Sequence, residues 1–316
     1  MSRPQSGAGA GPAWGFPGKA GRGGDTGPGD AGHGTLAERL KALRRWALRA
    51  PGPGAGAAAP ALAARQVRDL SVVELFPGLL LVVACDSDGG IGPKPQDTVR
   101  VSGYVLGRFA ARVPLMELIA SGARPFLLVD TLAVEMEPSG REILAGIRDE
   151  LASAGLEAEV ALNGSTEENV PVRATGMGVT VLGLCAAERF RPGGARPGDL
   201  AVCVGLPKSA PRDPVRLDDP EIMDLPAALA LGSLAEVHDM LPVGSRGTGY
   251  EAAQMAALAG LRFEPEPDPG IDLAKSGGPA TCCLVAVAPA GLSRVAAATG
   301  KPCHVVGRFH PLEARA

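Results

Sequence analysis

The chain has 316 residues, is 46% hydrophobic and 21% charged, and carries a formal charge of -3. That length suits two compact domains or one large one, and the near-neutral balance argues against nucleic acid as a bulk electrostatic partner. Aromatic residues make up only 3%, so aliphatic side chains must fill the core, and no apolar run approaches the roughly 18 residues a membrane span needs.

Residues 1–34 hold 12 glycines and 4 prolines, too few apolar anchors to offset ordering entropy, and are read as disordered. They lack the apolar centre of a secretory signal, so the expectation is a cytoplasmic protein. TLAERLKALRRWALR, residues 35–49, has a capping box in Thr35 and Glu38 and an apolar face from Leu36, Leu40 and Leu43. This basic helix suits self-docking better than a membrane anchor, and a linker follows to about residue 65.

From residue 66 the pattern becomes regular. Leu79 to Cys85 is a continuous apolar run, expected as a buried strand. A helix follows over 104–121, interrupted by Pro114, then a strand over 125–134 and a helix capped by Ser139 and Glu142. Strands are expected at 159–162 and 175–185, paired antiparallel around the polar loop NGSTEENVP. RPGGARPGD, residues 191–199, marks a boundary. Beyond it lie strands at AVCVGL, TCCLVAVA and HVVGRF, and helices at 226–240, 250–259 and 291–299. The expectation is an α+β protein of two domains, 66–190 and 191–316, behind a 1–65 leader. The six cysteines form no C-x-x-C pair and mostly sit in apolar runs, so they are read as buried thiols rather than zinc ligands.

The stretch VVACDSDGGIGPKPQD, residues 82–97, carries the chemistry. If the strand continues past Cys85, the two-residue spacing puts Asp86 and Asp88 on one side. Paired oxygen ligands there suit Mg²⁺, which bridges one or two carboxylates to phosphates. The glycines let backbone N–H groups approach an anion, and Lys94 adds a charge, with Asp97 closing the stretch. From D-x-D-G alone an acidic surface turn after a strand is the plainer reading. Glu117 is the only carboxylate on its helix, and Asp130 interrupts the apolar run FLLVDTLAV, where a charge is costly unless paired. Gly164, Ser165 and Thr166 begin the loop GSTEEN. VGSRGTGYE places Arg246 and Gly247 at a helix start, a ready anion site or an ordinary turn. The four histidines are scattered, so no nucleophilic triad is expected.

YVLGRFAARVPLMELIASGARP followed by FLLVDTLA resembles the helix–strand signature of the AIR synthetase superfamily. DSDGGIGPK resembles its T-D-G-V-G-T-K loop, and LNGSTEENVPVRATGMGVTVLG its G-G-E-T segment. The resemblance implies an N-terminal mixed α/β domain that pairs into a homodimer, a C-terminal α+β sandwich domain, and ATP with Mg²⁺ as cofactors. By position, Asp86 or Asp88 matches the loop aspartate, Lys94 its lysine, Asp130 the strand aspartate, and Ser165 and Thr166 the G-G-E-T pair. Glu117 takes the place of an aspartate near the helix end. The chain departs at Ser165, where the family has an acid, leaving Glu167 or Glu168 to stand in. CDSDGGIG, STEENVP, PVGSRGTGYEAA and DLAKSGGPATC are most similar to the α-ribazole kinase branch. The expected reaction is therefore phosphoryl transfer from ATP to a nucleoside-like alcohol. Asp86, Asp88 and Glu117 would hold Mg²⁺; Lys94, Asp97, Arg246, Gly247 and the 164–166 segment would hold nucleotide; and Asp130 or Glu168 would accept the hydroxyl proton. The alternatives are another enzyme of the superfamily or a nucleotide-binding paralogue without catalysis.

Overall fold

The computed structural model describes residues 64–312, together with Glu38 and Lys41. The helix expected at 35–49 and the leader around it thus lie almost wholly outside the described residues. The chain divides into two compact units, Met1–Ala50 and Pro51–Ala316. Of the first, only Glu38 and Lys41, helical and exposed, are described.

The second unit contains two large sheets. Strands β1 (Ala64–Val67), β2 (Leu70–Phe76), β3 (Leu79–Gly89), β6 (Arg124–Leu132), β7 (Ala161–Thr166) and β8 (Gly176–Ala186) form the first, in the order β1-β2-β3-β8-β6-β7. β4 (Ile91–Gly92) and β5 (Val99–Arg100) make a small parallel pair beside it. Helices α1 (Gly103–Ala120) and α2 (Arg141–Ser153) supply the buried side chains behind this sheet. Along β3 and β8 burial alternates residue by residue, as in a sheet with one face covered and one open.

The second sheet runs β10 (Val237–Pro242), β12 (Cys283–Val287), β9 (Leu200–Val204), β13 (Cys303–Pro311), β11 (Leu261–Pro265). Every residue of β9 and β12 is buried, which is why both read as unbroken apolar runs. Leu200, Val202 and Val285 join the core of Leu231 in α3 (Leu225–Ser233) and Val295 in α5 (Leu292–Thr299). Ala201, Cys203 and Leu284 pack in a second core with Ala252 and Met255 of α4 (Thr248–Leu258). The larger core is continuous from Leu115 in the first half to Leu231 in the second.

Several expectations change. β7 begins at Ala161 and takes up Gly164 to Thr166, and it pairs parallel with β6 rather than antiparallel with β8. The helix expected over 226–240 ends at Ser233, and Val237–Pro242 is the edge strand β10. Its β-branched start and its burial beside β12 at every residue but His238 override the weak helical spacing. Pro114 does not break α1, which runs unbroken to Ala120.

Candidate active site

β3 continues four residues beyond Cys85, pairing Asp86 with Val179 and Asp88 with Met177 of β8. The strand alternation places both carboxylates on the face that carries buried Leu80, Val82 and Ala84. Among the described residues no ion pair neutralises either. Burial raises Asp86 above the ordinary carboxylate range. It pushes Asp88 up to about 6, with repulsion from Asp86 adding to the effect. Two partly buried acids without cations are an unfavourable arrangement for the folded chain, and a bound cation would relieve it.

Two hollows meet at this strand tip. One is a cleft of about 410 Å³ walled by Ile91, Val101, Val105 and Phe109 from the first half and by Ala210, Val215 and Pro279 from the second. Its polar lining is Asp86, Asp88 and the hydroxyls of Ser87, Ser209, Ser245 and Ser276, with no Lys or Arg among the described lining residues. The other is a more open hollow of about 640 Å³ bounded by Thr131, Ser165, Thr166, Gly176 and Gly178. Ser87 and Asp88 line both.

The remaining expected residues divide. Ser165 and Thr166 border the open hollow. Gly164 lies against buried Asp130, whose carboxylate oxygens are 2.5 Å from where a Cβ at 164 would stand. Asp130 itself points to the covered face with Leu128 and Leu132 and is raised by burial, and it lines neither hollow. Glu168 accepts hydrogen bonds from the Met136 N–H and the Thr166 hydroxyl, both at 2.8 Å, which fixes the loop rather than freeing a base. Asp97, expected among the nucleotide ligands, is buried and accepts from the Lys94 and Thr175 backbone N–H groups and the Thr175 hydroxyl, at 2.7–2.8 Å. It is a clamp on the loop. Gly92 (φ +144) lies under the same clamp, where a Cβ would stand 2.5 Å from the Thr175 hydroxyl. The Lys94 ammonium pairs with Glu135 at 2.6 Å. Burial opposes ionisation of Glu135, yet Lys94 and the Ser139 hydroxyl together hold it down to about 2.

Glu117 is not brought into the cleft. It faces a small recess with Arg68, Asp69 and Met240, where burial and the charges of Asp69 and Asp86 push it up to about 8. Among the described residues no group of three His, Cys, Asp or Glu side chains is placed to hold a metal ion. Of the expected Asp86–Asp88–Glu117 trio, the cleft holds Asp86 and Asp88. Arg246 is exposed and stacks over the Tyr250 ring at 3.6 Å, while its neighbour Ser245 reaches the cleft. Buried Gly247 (φ +82) starts α4. Sequence reasoning missed Ser87, Thr131, Val215 and Ser276. Ser87 was legible inside CDSDGG, but no local signal marks the others, which folding brings together from distant segments.

The chain has a two-sheet α+β, PurM-like fold. Residues 68–185 match the family described as AIR synthase related protein, N-terminal domain. Thiamine-monophosphate kinase from Stenotrophomonas maltophilia K279a is similar over 88% of this chain and 94% of its own, at 17% identity and a TM-score of 0.57. The hydrogenase maturation protein HypE is similar over 74% and 83%, at 14% identity and a TM-score of 0.54. AaThiL complexed with AMPPCP and TMP is similar over 78% and 85%, at 15% identity and a TM-score of 0.51. No curated protein sequence matches the chain. No helix among the described residues is long and apolar enough to cross a membrane.

Proposed function

We propose that the protein is an ATP- and Mg²⁺-dependent phosphotransferase that acts on a small, uncharged heteroaromatic alcohol, α-ribazole being the foremost candidate. The observation that carries this reading is the shared wall: an apolar cleft and an open hydroxyl- and glycine-lined hollow meet at Ser87 and Asp88. Two substrates bound on either side of that wall would have their reacting ends at the same carboxylate, Asp88, with Asp86 beside it on the cleft side. The open hollow, bordered by Ser165, Thr166 and two glycines, suits the nucleotide, in keeping with the AMPPCP held by a protein of the same fold. The apolar cleft suits the acceptor. With no Lys or Arg in its described lining, it offers no partner to an acceptor that already carries a phosphate, which favours a nucleoside with an apolar base over thiamine monophosphate.

Asp86 and Asp88 are the residues that would hold Mg²⁺, whose part is to neutralise charge on the transferring phosphates. Their chemistry fits, since both are oxygen donors on one face without protein cations, and Mg²⁺ commonly takes its other ligands from phosphates and water. In the reaction the acceptor hydroxyl oxygen bonds to the γ-phosphorus, the bridging P–O bond breaks, and ADP leaves. Asp130 lines neither hollow and Glu168 is engaged by Met136 and Thr166; Asp86 and Asp88, the carboxylates lining the apolar cleft, are the candidates to accept the hydroxyl proton. A second copy of the chain against the open face of the first sheet, where Phe126 and Leu184 are exposed, completes this reading.

The test is turnover of Mg²⁺–ATP against a panel containing α-ribazole, thiamine monophosphate and aminoimidazole precursors, with products identified by mass. Phosphorylated α-ribazole with one ADP per product supports the reading. Turnover of thiamine monophosphate alone would replace the acceptor. ATP binding without turnover of any acceptor would make this a nucleotide-binding regulatory protein.

A further inference from the structure

The segment Leu206–Glu221 joins β9 to the approach of α3 and has no regular secondary structure. Its ends meet, Leu206 N–H donating to the Glu221 carbonyl at 2.8 Å, so its 16 residues form a compact omega loop. The base is fixed twice. Lys208 Nζ bonds Asp219 and Glu221, both at 2.7 Å, and the Lys208 N–H and carbonyl both bond the Thr281 hydroxyl. The middle of the loop is held differently. Asp213, whose carboxylate also caps the Ser209 N–H, reaches out to Lys275 at 2.8 Å.

That ion pair joins two walls of the apolar cleft. Asp213 lies between Ala210 and Val215, which line the cleft from the loop; Lys275 precedes Ser276, which lines it from the 276–279 segment. The pair is partly exposed, 38% for the lysine side chain and 22% for the aspartate. An ion pair in such a setting is weak, so it can bias the rim closed and still open on a productive timescale. The base, with its double carboxylate and buried Thr281, is the firmer anchor. A loop firmly tied at its base and lightly tied across a cleft is built to admit and then enclose a ligand.

We propose that 206–221 is the acceptor-selecting loop of the enzyme, that Val215 limits which acceptor fits, and that Lys275–Asp213 is the latch that closes the loop over it. Lys275 and Asp213 are positioning residues. This rests on the assignment of the apolar cleft to the acceptor. It goes further in naming the element that distinguishes one acceptor from another.

The experiment has two readouts. The first is steady-state kinetics with whichever acceptor the wild-type protein turns over. Val215→Phe is expected to raise the acceptor KM at least about tenfold, with the ATP KM within about twofold. Lys275→Met and Asp213→Asn are each expected to raise it about fivefold, the double variant no further, and Lys275→Arg to restore it. An unchanged acceptor KM in Val215→Phe, or a parallel rise in the ATP KM, overturns the proposal. The second readout needs no turnover: amide hydrogen exchange of the wild type and Lys275→Met, with and without AMPPCP. Exchange in 206–221 is expected to rise in the variant, and AMPPCP is expected to protect the 164–178 region and leave 206–221 unprotected. Protection of 206–221 by AMPPCP alone would make the loop a nucleotide wall and overturn the proposal, even if no acceptor had been found. Failure to turn over α-ribazole, with these exchange results intact, would remove that acceptor and leave the loop's role standing.

Discussion

Two acidic regions lie within twelve residues of each other in the sequence and behave as opposites. Asp86 and Asp88 end a strand on its covered face, with no ion pair to either among the described residues, and burial raises both. Asp97, in the glycine-proline loop that follows, accepts three hydrogen bonds and joins that loop to Thr175. Lys94 and Glu135 close the same loop from its other side. The first region has unmet electrostatic demand and the second has none. A carboxylate whose charge the fold does not compensate must be compensated by something that binds, whereas one already satisfied by N–H and O–H donors is scaffold.

The comparison predicts its largest effect at the unpaired end. Asp88→Asn and Asp86→Asn are each expected to lower kcat/KM for phosphoryl transfer by roughly 10²–10³-fold. Thermal stability at pH 7 should stay the same or rise, because an amide removes a charge the fold leaves uncompensated. Activity within a few-fold of wild type in both variants would break the metal assignment. The pH dependence sharpens the point at Glu117, which titrates near 8 when folded against an ordinary 4.5. The folded chain keeps a proton there that the unfolded chain has released. Stability therefore falls as pH rises from about 4.5 to 8 and levels off beyond it. Glu117→Gln should abolish that fall and exceed wild type at pH 9 by up to about 5 kcal/mol, the equivalent of the full shift, as read by urea unfolding at several pH values. Identical pH profiles for the two proteins would mean that Glu117 is paired after all.

How far the sequence carries this distinction depends on range. The paired spacing of Asp86 and Asp88 after an apolar run was enough to put them on one face, because strand alternation is local. So were β3, α1 and β8, whose long periodic or apolar patterns leave one interpretation. Asp97 was not legible as scaffold, since its partner Thr175 is 78 residues away. The ion pair of Lys94 was not legible for the same reason: Glu135 is 41 residues on. Sequence alone also could not tell that Gly164–Thr166 forms the end of a strand parallel to β6. GSTEEN has turn composition, and only the neighbour that completes the ladder makes it extended. Composition, in short, identifies which groups have charge; pairing across long separations decides which of them still have it to offer a ligand.

At the satisfied end the effects are on stability. Asp97→Ala leaves two backbone N–H groups and a hydroxyl without their acceptor in a buried setting. The expected cost is roughly 2–3 kcal/mol, measured as a lower urea midpoint with an unchanged m-value. Thr175→Val, which removes only the hydroxyl donor, should cost about 1 kcal/mol. Equal losses from the two would show that the hydroxyl contact, rather than the backbone clamp, dominates.

The smallest effect separates the two regions most cleanly, because it falls on the residue that both readings claim. Lys94 holds Glu135 down to about 2 from an ordinary 4.5, so this pair contributes stability that is complete above about pH 4.5 and lost as pH falls toward 2. The pair is near the surface and screened, so its worth is taken as about 1 kcal/mol rather than the full equivalent of the shift. Lys94→Met should therefore lose about 1 kcal/mol at pH 6 and show a shallower acid decline than wild type. Its affinity for AMPPCP should stay within about threefold, since an ammonium already bonded to a carboxylate has little left for a phosphate. If the affinity instead fell more than about tenfold while the acid decline were unchanged, Lys94 would belong with Asp86 and Asp88, and the line between ligand and scaffold would run after residue 94 rather than before it.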